Sequence, residues 1–170
     1  MPHHFETSQW LPYPPELVFA FFANPENLPR LMPHWQRSRI EVAVFYPTPP
    51  RPPNSPRYPG IAAGDGTRLT ISLRPFPFAP FRIPWEAQIE DFRWNQGFCD
   101  IQLRGPFTSW RHCHTITAKD SGTTLHDTIT YELLLSPLTS IPIRPILARI
   151  FRHRQQRTTE LLALATGRKQ

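Results

Sequence analysis

The chain has little of what staples, cradles or anchors a protein. Two cysteines, Cys99 and Cys113, stand among 170 residues. That is no disulfide framework, and it favours reduced thiols in a cytoplasmic protein. Glycine is scarce and forms no Gly-rich phosphate cradle. No apolar run reaches membrane-spanning length, so no integral membrane segment is expected. The N-terminus MPHHFETSQW lacks the charged-then-apolar order of a secretory signal. Ser109 and Ser121 have no His and Asp arranged for nucleophilic catalysis.

Proline, by contrast, is abundant. The 22 prolines concentrate in two places, a loop excursion over 47–60 and an aromatic loop over 75–84 that carries Phe76, Phe78 and Phe81. Hydrophobic content is ordinary, so the chain reads as one globular domain, 1–170, large enough for a real core and a cavity. Acids are missing from the C-terminal end: residues 144–170 hold seven of the nineteen Lys and Arg but only Glu160. The rest is balanced, so this segment supplies the net charge of +6. Ile146, Leu147, Ile150, Phe151, Leu161, Leu162 and Ala165 fall on one stripe, with Arg149, Arg152, His153 and Gln156 on the other side. That is a core-packed helix with a solvated cationic back. No aromatic platform interleaves with its arginines, so no nucleic-acid partner is expected.

Along the chain, His4 to Trp10 reads as a strand, and Pro14-Pro15-Glu16 as a helix start with proline in the first turn. Asn24 caps a second short helix over 25–31, stopped by Pro33. Residues 40–45, 67–73 and 85–92 read as strands, followed by three more from Gly97 to Leu133 and a long helix from about Leu138 or Arg144 to Ala165. The sum is an α+β domain whose sheet curves against a long C-terminal helix.

The three late strands carry the chemistry. In the second, Trp110, His112, His114 and Ile116 share one side; in the third, Leu125, Asp127, Ile129, Tyr131 and Leu133 do. A tight turn at Gly122 sets His114 beside Asp127 and Trp110 beside Tyr131. In the first strand, pattern alone turns Cys99, Ile101 and Leu103 inward, but pairing around Gly105 puts Phe98, Asp100 and Gln102 there, and that is the expectation adopted. An inward face that mixes aromatics with ionisable groups reads as the lining of a cavity.

Three stretches, LPYPPELVFAFFANPENLPRLMPHW, FCDIQLRGPFTSWRHCHTI and GTTLHDTITYELLLSPL, together with the closing IFRHR, carry a family resemblance. The chain resembles the SRPBCC superfamily of START-like, Bet v 1-like helix-grip proteins, and among them the small bacterial polyketide cyclase/dehydrase-like ligand-binding proteins. The resemblance implies a sheet of six or seven antiparallel strands around a long C-terminal helix, with two short helices after the first strand. It also implies a largely apolar cavity for a lipid or aromatic molecule, and no metal or other cofactor. The proline-rich excursion departs from the family pattern at one rim of that cavity.

Candidate residues follow. Trp85, Phe98, Gln102, Trp110, Ile129 and Tyr131 are expected to line the site with His112 and His114, and Phe78 and Phe81 to cover its mouth. The two histidines with Asp100 and Asp127 suit proton transfer in a cyclase or dehydratase, or simply satisfy one another's buried polar groups. A His-x-His pair with a carboxylate can also hold a metal, but no third strong ligand is evident, and none is expected. The expected partner is a small hydrophobic molecule. The phenylalanine loop has two further readings, a protein surface and a transient membrane contact.

Overall fold

The computed structural model describes residues 1–133 and 143–167. Seven strands form its sheet: β1 His3–Leu11, β2 Arg39–Val44, β3 Arg68–Leu73, β4 Ile83–Arg93, β5 Gly97–Arg104, β6 Ser109–Lys119 and β7 Gly122–Glu132. Their order is β1-β7-β6-β5-β4-β3-β2, with every neighbouring pair antiparallel. Six strands follow as a meander and the first closes on the last. α1 spans Pro15–Ala23, α2 spans Leu28–Leu31 and α3 spans Ile143–Thr166.

Local chemistry accounts for the early helices. α1 begins at Pro15 after an extended Pro14, whose carbonyl accepts from the amides of Leu17 and Val18. Its apolar run is buried at Val18, Phe19, Phe21 and Ala23. Asn24 accepts from the Glu26 amide and so caps a 3-10 turn, Pro25–Asn27, that leads into α2. The expected second helix is therefore this turn plus one α-helical turn.

α3 crosses the sheet. Phe151 meets Phe5 of β1 with ring centroids 5.4 Å apart, and Gln9 donates to the Gln155 carbonyl and to Thr159. The buried stripe of α3 runs through Leu147, Phe151, Thr158, Leu161 and Leu162. Two residues assigned to that stripe from sequence do not belong to it: Ile146 is 42% exposed and Ala165 is also exposed. Continuing the stripe from Phe151 to Thr158 passes through Arg154, which is half-buried. The alternative helix start at Leu138 lies outside the described residues.

The apolar interior has two parts. One joins α1 and the C-terminal half of α3 to Leu11, Ile89, Phe92, Phe98, Ile116 and Leu125. The other gathers Phe5, Trp110, Ile129, Tyr131, Leu147 and Phe151. Between them lie the ionisable residues of β5, β6 and β7.

The proline-rich segment 47–60 forms no helix or strand, as expected. It is nonetheless tied down, since Trp94 donates to the Pro49 carbonyl and Arg51 lies 4.3 Å over the Trp94 ring. The expectation of reduced thiols does not hold. Cys99 and Cys113 are paired directly across β5 and β6 and form a disulfide on the outer face. Adjacent antiparallel strands bring such opposed side chains into bonding reach. Among the described residues, no helix is long and apolar enough to cross a membrane.

Candidate functional site

Strand register assembles the site. β6 pairs with β7 so that His114 faces Asp127, His112 faces Ile129 and Trp110 faces Tyr131. β5 pairs with β6 so that Phe98 faces His114 and Asp100 faces His112. The side of β5 that pattern alone disfavoured is thus the inner one. Cys99 is diverted into the disulfide, and Leu103 lies 43% exposed on the outer face. Gly97 permits this register at the start of β5. Its φ is +143°, and a Cβ there would fall 1.9 Å from the His114 carbonyl oxygen.

His112 sits between two carboxylates. Its Nδ1 lies 3.1 Å from Asp100 Oδ2 and its Nε2 lies 3.0 Å from Asp127 Oδ1. Asp127 Oδ1 is also 2.6 Å from His114 Nδ1, although that contact is off the line a hydrogen bond needs. His112, His114 and Asp127 are buried, while the Asp100 side chain keeps 22% of its exposure. The imidazole rings stand 4.2 Å apart. Phe98 and Phe22 enclose His114 at 4.8 and 5.2 Å, and Phe151 of α3 meets His112 at 5.4 Å.

These contacts set the charges. Burial works against a charged His112, but Asp100 and Asp127 outweigh it and raise its pKa. Burial lowers the pKa of His114, and the neighbouring imidazolium lowers it further against the pull of Asp127. Burial alone would raise both carboxyls; the histidines reverse this and hold Asp100 and Asp127 below the ordinary carboxylate range. Arg154 reaches into the same field. Burial lowers its pKa and the two carboxylates oppose that change. The two carboxylates thus favour the charged form of His112, while burial and His112 favour the neutral form of His114.

Arg154 was missed from sequence because Arg149, Arg152 and His153 made that helix look cationic on its outer side. The available signal was its place four residues before Thr158 and three after Phe151. Its guanidinium carbon lies 4.8 Å over the Phe151 ring. No hydrogen bond or ion pair joins that guanidinium to another of the described residues.

Beside the charges stands an aromatic group. Trp110 meets Trp85 at 5.1 Å, Phe107 at 4.9 Å and Tyr131 at 6.2 Å. Trp110 Nε1 is buried without a hydrogen-bond partner among the described residues, an arrangement that ordinarily costs about 1–3 kcal/mol. Ile129 lies buried beneath the pair. Gln102 is held elsewhere. Its amide donates to the Phe107 carbonyl at 2.8 Å and accepts from the Phe107 amide at 3.3 Å, closing the β5–β6 turn. Phe78 and Phe81 are not brought to the charged residues, being 92% and 52% exposed at the β3–β4 tip.

Asp100, His112 and His114 each present one possible metal-ligand atom, all within 4.8 Å. Asp100 thus joins the His-x-His pair that the sequence left without a further ligand. Both nitrogens of His112 already face carboxylate oxygens, however, so neither is aimed at an ion shared with Asp100 and His114.

Residues 11–43 match the family described as polyketide cyclase/dehydrase and lipid transport. No curated protein sequence matches the chain. The aromatase/cyclase ZhuI from Streptomyces sp. R1128 superposes with a TM-score of 0.62 at 14% identity, over 99% of this chain and 96% of that one. TTHA0849 from Thermus thermophilus superposes with a TM-score of 0.64 at 15% identity, over 96% of this chain and 99% of that one. The di-domain aromatase/cyclase StfQ of the steffimycin biosynthetic pathway gives 0.66 at 13% identity, over 98% of this chain and 52% of that one. At such identities the likeness is one of fold.

Proposed function

We propose that this chain, which has the helix-grip fold of the SRPBCC superfamily, binds a small apolar or aromatic molecule between its sheet and α3. The carrying observation is the Nε1–H of Trp110, which has no partner among the described residues, in an aromatic interior that adjoins the band of His112, His114, Asp100 and Asp127. A solid core is stabilised by removing such a donor, whereas a binding site keeps it for a ligand acceptor. Arg154, over the Phe151 ring, offers donors that no side chain among the described residues fills, and Asp100 a partly exposed acceptor. An aromatic ligand with one hydroxyl or carbonyl suits that set: its ring lies against Trp85, Trp110 and Tyr131, and its oxygen bonds at the band.

Calorimetric titration with 1-naphthol tests this reading. Saturable binding that weakens about tenfold in Trp110→Phe and in Asp100→Asn supports it, the size of one hydrogen bond in a buried site. Absence of saturable binding, or variants that bind like the wild type, ends it.

A second reading has one observation in its favour. The buried His114 Nδ1 lies 2.6 Å from Asp127 Oδ1, and burial lowers the pKa of that imidazole, the setting of a general base. The aromatase/cyclases that share the fold make enolisation or water elimination the chemistry to test. Under that reading His114 takes the proton, and the Asp100–His112–Asp127 bridge orients it. His114→Asn then retains ligand binding but loses turnover by orders of magnitude.

A further inference from the structure

An exposed aromatic feature lies away from the polar band. Between β3 and β4 the segment Arg74 to Arg82 reads RPFPFAPFR, and Phe76, Phe78 and Phe81 are 50%, 92% and 52% exposed. Phe76 and Phe81 stand edge to face at 5.9 Å, so the rings form one patch. Prolines at 75, 77 and 80 stiffen the backbone that presents it, which lowers the entropy lost on docking.

Arginine surrounds the patch. Arg37, Arg39 and Arg74 all act electrostatically on Arg82, which donates to the Arg37 and Ser72 carbonyls at 2.7 and 2.8 Å. The acid in this group, Glu41, is occupied by Arg39 and Ser72. Four guanidiniums against one carboxylate leave a clear positive excess around three exposed rings.

We propose that this end of the sheet docks on an anionic phospholipid surface, with the phenylalanines entering the acyl boundary and the arginines at headgroup level. A second copy of the chain is a poorer occupant, because self-pairing would set the arginine clusters against each other. Register gives the contact a use. Leu73 pairs with Ile83, Glu86 with Arg104 and Ser109 with Glu132, so the tip shares one end of the sheet with Trp85, Phe107, Trp110 and Tyr131. A molecule leaving the bilayer there would meet the aromatic group first. The docking itself does not depend on the ligand reading.

Co-sedimentation with extruded vesicles tests it, comparing phosphatidylcholine alone with phosphatidylcholine containing one-third phosphatidylserine. The wild-type protein should sediment with the anionic vesicles at least about tenfold more tightly than with the neutral ones, and the preference should fade at high salt. Phe76→Ser with Phe78→Ser should abolish sedimentation without changing the melting temperature. Arg37→Gln with Arg74→Gln should remove the anionic preference. Three results overturn the proposal: no sedimentation of the wild type, sedimentation unaffected by the phenylalanine changes, or a wild-type dimer that Phe78→Ser dissociates with no vesicle binding.

Discussion

His112 and Asp127 meet at 3.0 Å in the interior, and the oxygen they share is the one His114 approaches at 2.6 Å. Two imidazoles thus converge on one carboxylate, with the pKa of His112 raised and that of His114 lowered. Because Asp127 faces both rings and accepts from His112, it is the most sensitive position in the band.

Asp127→Asn keeps the shape and removes the charge, leaving a buried imidazolium with Asp100 as its remaining carboxylate. Removing one partner of a buried ion pair typically costs about 3–5 kcal/mol. Urea denaturation of the variant should show a loss of this order. A loss below about 1 kcal/mol would mean that the band is solvated and not part of the interior.

Stability should fall on both sides of neutrality. Asp100 and Asp127 have lowered pKa values, so their contribution is present above about pH 4 and is lost as pH falls through the folded values. His114, also lowered, adds a loss that starts as pH falls below about 6.5. His112 is raised, so its contribution is full below about pH 6.5 and is lost as pH rises through its folded value. Melting temperatures across the pH range should form a dome, and Asp127→Asn should flatten its acid side. An unchanged acid side would contradict the assignment.

Arg154→Met separates a ligand contact from a structural one. Methionine keeps the packing over Phe151 and fills the same stripe. If Arg154 serves a ligand, the variant should retain the wild-type melting temperature within a few degrees and lose about tenfold in affinity for 1-naphthol. A large fall in stability with unaltered affinity would make Arg154 a counter-charge for the carboxylates alone.

The Cys99–Cys113 bridge closes a loop with a sequence separation of 14. On chain-entropy grounds, closing a loop near that length stabilises by about 3 kcal/mol. Reduction with dithiothreitol should therefore lower the melting temperature by roughly 6–12 °C. Thiol counting on the denatured, unreduced protein should find no free cysteine. Two free thiols, with melting insensitive to reductant, would contradict the bridge.

Much of this site was legible because antiparallel pairing is arithmetic. Once Gly122 marked the turn, His114 had to meet Asp127 and Trp110 had to meet Tyr131, and the structure has both pairs. The same counting around Gly105 put Asp100 on the side of His112 against the evidence of hydrophobic pattern, and the structure pairs the two directly. Pattern misled on β5 because Cys99 is satisfied by a covalent bond on the outer face and Leu103 is left half-exposed.

Other features depend on reach and packing, which spacing does not encode. Gln102 lies on the inner side of β5, yet its amide folds onto the β5–β6 turn, and Gly105 leaves room for it; a Cβ there would stand 2.3 Å from Gln102 Oε1. Arg154 resembles its solvated neighbours in sequence and differs only in the helical angle at which it leaves α3. The phenylalanine loop reads from sequence as a cover for the cavity mouth, a protein surface or a membrane contact, and its rings are 50%, 92% and 52% exposed at the β3–β4 tip.

Native mass spectrometry of protein purified without detergent tests most directly whether a molecule is held between the sheet and α3. The wild type should carry a small apolar or aromatic molecule that is lost on activation, and Trp110→Phe with Arg154→Met should release it. A bare polypeptide mass in the wild type, together with no saturable uptake of 1-naphthol, would show that aromatic and charged side chains fill this interior by themselves.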